Sequence, residues 1–298
     1  MLEDLKLGPR YDGFLFLAET ARNPPVLKPH HHVELELNLV ARGSITYVVR
    51  GRRFTFERRT VLWMFPAQEH QLVDRSDDAQ YYVAVFKSGL ISQAARGAGY
   101  EGLRRENIEG DGVLSTVLEP AMFDLILRTM ELTVADGLDP DLLNREAGFG
   151  VGSDFSFEHG DPDALNAALR HLLLLCWRCQ RGKFAADGAV ELHPAVRRAL
   201  VLLGEGAWDD DLTQLAKHCG VSAAYLSRAF ARQVGVPLSR YRNSVRLGRF
   251  LELRRARDGR TLTELVYAAG FGSYAQFYKV FVQAYGQGPR ESLRPRER

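Results

Sequence analysis

Apolar and polar positions alternate through the first third of the chain. Val33, Leu35, Leu37 and Leu39 alternate with Glu34, Glu36 and Asn38, and Ile45, Tyr47 and Val49 alternate with their neighbours. This two-residue period is that of β-strands. Short apolar runs at 54–56, 61–65 and 81–86, set apart by turns with Gly, Arg and Asp, extend the β pattern from Phe14 to Phe86. Strands at this spacing predict a sandwich or small barrel. The period then changes. Residues 114–134 read as a helix with Leu118, Met122, Leu125 and Ile126 on one face, and 137–161 as a loop whose Gly148, Gly150 and Gly152 lack the strand and Lys-Ser/Thr of a phosphate loop. In residues 164–181, Leu165, Leu169, Leu172, Cys176 and Cys179 fall at spacings of four and three, a seam for a second helix. Leu173, Leu174, Leu175 and Trp177 make this helix apolar beyond one stripe, so it is expected to lie partly buried and to dimerise.

The C-terminal third contains one pattern twice. Leu212, Thr213, Leu215 and Gly220 recur as Leu262, Thr263, Leu265 and Gly270; after one extra residue, Gly272, the match resumes with Ser222/Ser273, Phe230/Phe281 and Gly235/Gly286. Each copy predicts a helix, a glycine able to take a left-handed turn, a Ser cap and a second helix. Leu226, Ala229 and Phe230 share one face of that second helix, as do Phe277, Val280 and Phe281 in the other copy. Ser227, Arg228 and Arg232, and then Tyr274, Gln276, Lys279 and Gln283, point elsewhere; such groups can meet phosphates and base edges. Residues 237–257 form a helix-like connector bearing Arg240, Arg242, Arg246, Arg249, Arg254 and Arg255. About 20 helical residues span roughly 30 Å, close to the 34 Å or so between successive major-groove faces.

Charge supports this division. The whole chain carries +2, but residues 190–298 hold 18 Lys+Arg against 10 Asp+Glu, leaving the first 189 residues acidic. A basic module joined to an acidic one suggests nucleic-acid binding. Three cysteines, Cys176, Cys179 and Cys219, form no disulfide framework, and Cys176-x-x-Cys179 without a βαβ context reads as small apolar fillers. A reducing, cytoplasmic location without membrane association is expected, since no signal-type or bilayer-length apolar run is present. The boundaries are a β domain over 1–113, a helical dimerisation segment over 114–183, a linker over 184–191 and a helical DNA-binding domain over 192–298.

His30, His32, Glu36 and Gly43 fit the spacing H-x-H-x3-E-x6-G, which resembles the first cupin motif, and His70 stands near the histidine of the second. The resemblance is incomplete: Pro24 replaces an opening Gly, and Gln68 sits in a Gly place with His70 one residue early. It implies that His30, His32, Glu36 and His70 would ligate one divalent ion, for which imidazole and carboxylate suit Zn, Fe, Ni or Mn. On a straight strand His32 and Glu36 would lie about 13 Å apart, so a bend is required, and no Gly or Pro marks one.

Over its length the chain resembles an AraC/XylS-type transcriptional regulator: two helix-turn-helix copies, the connector RLGRFLELRR, and a closing GQGPRESLR. That family implies a two-domain α+β protein with a cupin-like antiparallel β-barrel as effector module, a helical dimerisation segment, and an all-α double helix-turn-helix. Its base-reading positions fall on Ala224, Ser227 and Arg228, and on Tyr274, Ala275, Gln276 and Lys279; Arg232, Arg246 and Gln283 are backbone candidates. The implied partners are double-stranded DNA, a small-molecule effector, RNA polymerase and a second copy of the chain. Two other classes compete: a cupin-type metal-dependent oxygenase or isomerase, and an effector-independent DNA-binding dimer.

Overall fold

The computed structural model describes residues 5, 7–19, 29–108, 112–135, 159–180, 184–185, 190–206, 211–255, 259–285 and 288–289. Two antiparallel sheets build the N-terminal half. The larger has the order β1–β7–β2–β5–β8–β9, from β1 (Gly13–Glu19), β2 (Leu35–Arg42), β5 (Thr60–Met64), β7 (Gln80–Phe86), β8 (Val113–Val117) and β9 (Phe184–Ala185). The smaller has the order β10–β4–β3–β6, from β3 (Ser44–Val49), β4 (Arg52–Glu57), β6 (His70–Arg75) and β10 (Val190–Glu191). The architecture is cupin-like, although among the described residues no strand ladder joins the sheets into a closed barrel.

The alternation in β2 does not separate core from solvent, because every residue from Leu35 to Val40 is buried. Leu37 pairs with Trp63 and Ala84 on one face. The Trp63 ring meets Trp177 at 5.5 Å between centroids, so this row lies beneath the helices. Glu36 and Asn38 face the space between the sheets, where the Tyr47 hydroxyl donates to Asn38 Oδ1 at 3.4 Å. A polar row in an apolar interior persists only when its members bond one another or a ligand.

Helices α1 (Ser88–Ala94), α2 (Pro120–Ala135) and α3 (Pro162–Cys179) cover the larger sheet. The helix expected from residue 114 begins instead at Pro120, a residue suited to a first turn, because 114–117 pair with β5. Asp161 caps α3, its Oδ1 accepting the Ala164 N–H at 3.0 Å. Leu165, Leu169 and Leu172 are 0% exposed and Cys176 1%; they share one core cluster with the sheet. This corrects the dimerisation seam: the spacing specified an apolar stripe, and α2, β1 and β7 of the same chain cover it. Burial pushes the Cys176 thiol far above its ordinary range, so it is a filler.

Among the described residues, six helices are named in the C-terminal half: α4 (Pro194–Glu205), α5 (Leu212–His218), α6 (Ala223–Val234), α7 (Leu238–Arg255), α8 (Leu262–Ala268) and α9 (Tyr274–Tyr285). They enclose two cores, and α7 contributes to both, with Tyr241 and Val245 in the first and Leu247 and Phe250 in the second. The first core also takes in Val48 and Val73 from the smaller sheet, so apolar burial ties the two halves of the chain together. Residues 184–191, expected as a linker, supply short strands that pair with β8 and β4. The 137–158 part of the glycine loop and most of the closing GQGPRESLR lie outside the described residues.

Candidate nucleic-acid interface and effector site

Local hydrogen bonds build each reading unit as its sequence requires. In the first, Asp211 Oδ1 accepts the Gln214 N–H at 2.8 Å to start α5. Gly220 turns the chain at φ +70°, and Ser222 Oγ accepts the Tyr225 N–H at 3.3 Å to start α6. In the second, Thr261 and Glu264 form a reciprocal capping box at α8. Gly270 then turns at φ +85°, and Ser273 Oγ accepts the Gln276 N–H at 3.1 Å. The buried faces are those expected, Leu226, Ala229 and Phe230 in α6 and Phe277 and Phe281 in α9. The 18 residues of α7 make a rod of about 27 Å.

Among the reading candidates, Ala224, Arg228, Arg232, Ala275 and Lys279 are exposed, while Ser227, Tyr274 and Arg246 are half-buried. The Tyr274 ring rests 5.7 Å from that of Phe277, which commits much of it to the second core. Gln276 is bonded at both ends of its carboxamide. Its Oε1 accepts the Gly272 N–H at 3.1 Å, and its Nε2 donates to Asn243 Oδ1 on α7 at 3.1 Å. Gln283 lines a cleft of about 350 Å³ between β6, α7 and α9, on the side toward the N-terminal half. Asn243 was not singled out from sequence, because its partner is 33 residues away.

In the sandwich, His32, Glu36 and His70 bring one ligand atom each to within 4.8 Å of one another. His32 Nε2 lies 3.0 Å and His70 Nε2 3.8 Å from Glu36 Oε2. The required bend exists: the chain turns at Val33 and Glu34 before β2 begins, and His32 Nδ1 lies 3.0 Å from the Glu34 carbonyl. A side-chain bond closes this turn, which is why no Gly or Pro marks it. His30 joins the group through its backbone, exchanging N–H···O bonds of 3.1 and 2.9 Å with His70. Its ring, 4.3 Å from that of His70, is outside the three-residue set, so the four-ligand expectation reduces to three among the described residues.

The donor set fits a divalent ion. His70 Nδ1 lies 2.9 Å from the Gln68 carbonyl. A carbonyl only accepts, so both histidines carry a proton on Nδ1 and turn Nε2 toward the carboxylate; for His32 Nε2 to donate to Glu36 Oε2 it must carry a second proton, whose place a bound ion would take. This is the outer-shell arrangement that orients imidazole ligands. Asn38 Nδ2 donates to Glu36 Oε1 at 2.6 Å, leaving Oε2 for the two rings. Ligand atoms about 2.0–2.1 Å from one ion lie roughly 3–4 Å apart, and the two histidine–carboxylate separations, 3.0 and 3.8 Å, fall in that range. Burial disfavours the charged form of Glu36, but the hydrogen bond from His32, the charges of His70 and His32, and Asn38 hold its carboxyl down at about 2. Burial lowers the pKa of His70, favouring the neutral, ligating imidazole. Asn38 was legible as the residue sharing the face of Glu36, two positions on.

Strand β6 connects this group to the reading units. His70 and Leu72 face inward, while Gln71 faces outward and its Nε2 donates to the Tyr241 hydroxyl on α7. The pairing of β6 with β3 slips by one residue at Val73, a bulge that turns Val73 and Asp74 together toward the C-terminal half and returns Arg75 inward. Burial raises the pKa of Asp74, opposed in part by Arg240 on α7.

A family model described as an AraC-like ligand binding domain matches residues 14–135, and one described as a helix-turn-helix domain matches residues 215–294. The HTH-type transcriptional activator RhaS of Salmonella arizonae is 23% identical over 278 residues, covering 90% of this chain and 88% of the relative. Among solved structures, ToxT from Vibrio cholerae aligns at 12% identity and a TM-score of 0.35, over 94% of this chain and 97% of that one. The AraC-like transcriptional activator CuxR aligns at 13% identity and a TM-score of 0.31, over 87% and 78%. With a ligand-binding domain ahead of a duplicated helix-turn-helix, the chain belongs to the AraC-type transcriptional regulators.

Proposed function

We propose that the space between the two sheets receives a small-molecule effector and that β6 carries its occupancy to the DNA-reading helices. One observation supports this above the others: His70 and Gln71 are consecutive, the first turned to the triad, the second bonded to the rod shared by both reading units. A ligand shifts DNA occupancy only by the difference in its affinity for two arrangements of the halves, and a strand with one face on each side is placed to sense that difference. His32, Glu36 and His70 would hold a divalent ion of the Zn, Fe, Ni or Mn group, supplying a Lewis acid for oxygen atoms of the effector. One chain carries two reading units; a homodimer would read two half-sites through a surface other than the buried α3 seam. A contact with RNA polymerase completes the reading.

The test begins with genome-wide selection of bound DNA and a thermal-shift screen of candidate ligands, since a ligand specific for the folded state raises its stability. Each ligand that stabilises the protein is then assayed for its effect on DNA affinity at fixed salt. The expected result is a change in affinity that shrinks in Gln71→Ala. Ligands that bind while DNA affinity stays constant would overturn the proposal. A second reading, a metal-dependent oxygenase or isomerase, rests on the same two-histidine, one-carboxylate set. Substrate turnover by metal-loaded protein, abolished in Glu36→Ala, would favour it.

A further inference from the structure

The two reading helices can be compared position by position, because after Gly272 the second copy runs 51 residues behind the first: Ser222 with Ser273, Phe230 with Phe281. On this offset Tyr225 corresponds to Gln276, and each contacts a neighbouring element, Tyr225 by one ring edge while 37% exposed and Gln276 by two hydrogen bonds. The Tyr225 ring lies edge-on to His193, the residue that caps α4, with 5.5 Å between centroids. The Gln276 carboxamide bridges the Gly272 backbone and Asn243 of α7. In each copy this position anchors the reading helix to the element behind it.

The exposed faces also correspond. At about 100° per residue, Ala275, Tyr278 and Lys279 share one face of α9, as Ala224, Ser227 and Arg228 do in α6; Gln276 and Gln283 lie roughly a quarter-turn away. Tyr278 is 47% exposed, and it matches Ser227, a candidate reading position of the first copy. Its ring lies against Gly288, where a Cβ would stand only 3.3 Å from the hydroxyl oxygen. The backbone there steadies the ring without covering it.

We infer that Tyr278 contacts base edges in the second unit, while Gln276 is a positioning residue that fixes α9 on the connector. The inference rests on the chain being a reader of DNA. The phenol offers an apolar ring edge for a thymine methyl and a hydroxyl for a base acceptor, both presented in the major groove. Beside it, Ala275 gives close approach and Lys279 a cation. The second unit would then read with an aromatic group where the first reads with Ser227.

The test is selection from a randomised DNA pool by the full-length protein and by Tyr278→Ala, Tyr278→Phe, Gln276→Ala, Asn243→Ala and Arg228→Ala, with circular dichroism confirming each fold. Tyr278→Ala is expected to relax preference at one or two base pairs of one half of the site, by about tenfold, with Tyr278→Phe retaining the part due to the ring. Gln276→Ala is expected to weaken all sequences alike, with a loss that does not add to that of Asn243→Ala. Unchanged preference in Tyr278→Ala, or base-specific relaxation in Gln276→Ala absent from Asn243→Ala, would overturn the inference while Arg228→Ala still alters the other half. If the wild-type protein selects no sequence at all, the DNA-reading assignment itself falls, and this inference with it.

Discussion

Replacing Tyr241 by Phe deletes one hydroxyl and leaves the ring in the first C-terminal core, 5.2 Å from Phe230. The hydroxyl is the acceptor for Gln71 Nε2, and both residues are only 2% exposed. Removing one partner of a buried hydrogen bond costs about 1–3 kcal/mol, whereas replacing both by apolar groups of similar shape is nearly neutral. The single variant should therefore favour separation of β6 from α7 by about 5- to 150-fold. Hydrogen exchange of the β6 and α7 amides reads this opening directly. Protection should fall by that factor in Tyr241→Phe and return toward wild type when Gln71→Leu is added. Equal losses in the single and double variants, or no loss in the single, would show that this bond does not hold the halves together. The same pair also tests effector coupling: with the bond weakened, ligand and DNA binding should respond less to one another.

Other outcomes follow from the same geometry. Arg228→Ala should cost about 1–3 kcal/mol of DNA affinity at particular base pairs; uniform weakening in a selection experiment would make Arg228 a phosphate contact. Leu169→Ala, in a side chain 0% exposed, should lower folding stability by about 2–5 kcal/mol without changing the oligomeric state in sedimentation, whereas an interface seam would do the reverse. Gly220→Ala sits at φ +70° with open space around it, so its cost is conformational, about 1–2 kcal/mol, and denaturant midpoints should show Asn tolerated better there than Ala. Elemental analysis should find a divalent metal in wild-type protein and lose it in His32→Ala; no stoichiometric metal in either would remove the ion from the proposal.

Much of the DNA-reading half was legible in the chain itself. Helix starts, glycine turns and buried faces are local, set within one or two helical turns by Ser222, Gly220, Leu226 and their counterparts in the second copy, so a repeat in sequence becomes a repeat in space. The β pattern of the N-terminal half was equally local, whereas bringing His70 beside His32 and Glu36 takes a bridge between His30 and His70 across 40 residues. Tertiary structure decided what those patterns face. Leu165 and Leu169 mark a stripe whose cover, a second helix or the chain's own sheet, is a long-range choice won by the larger apolar surface nearby. Glu36 and Asn38 alternate like solvent-facing residues yet turn inward, because helices claim the opposite face of the sheet. Gln71 and Tyr241 stand 170 residues apart, and the bonds of Gln276 to Gly272 and to Asn243, 33 residues away, are likewise visible only in the fold. Periodicity fixes which side of an element a residue occupies; only packing of the whole chain fixes what meets it there.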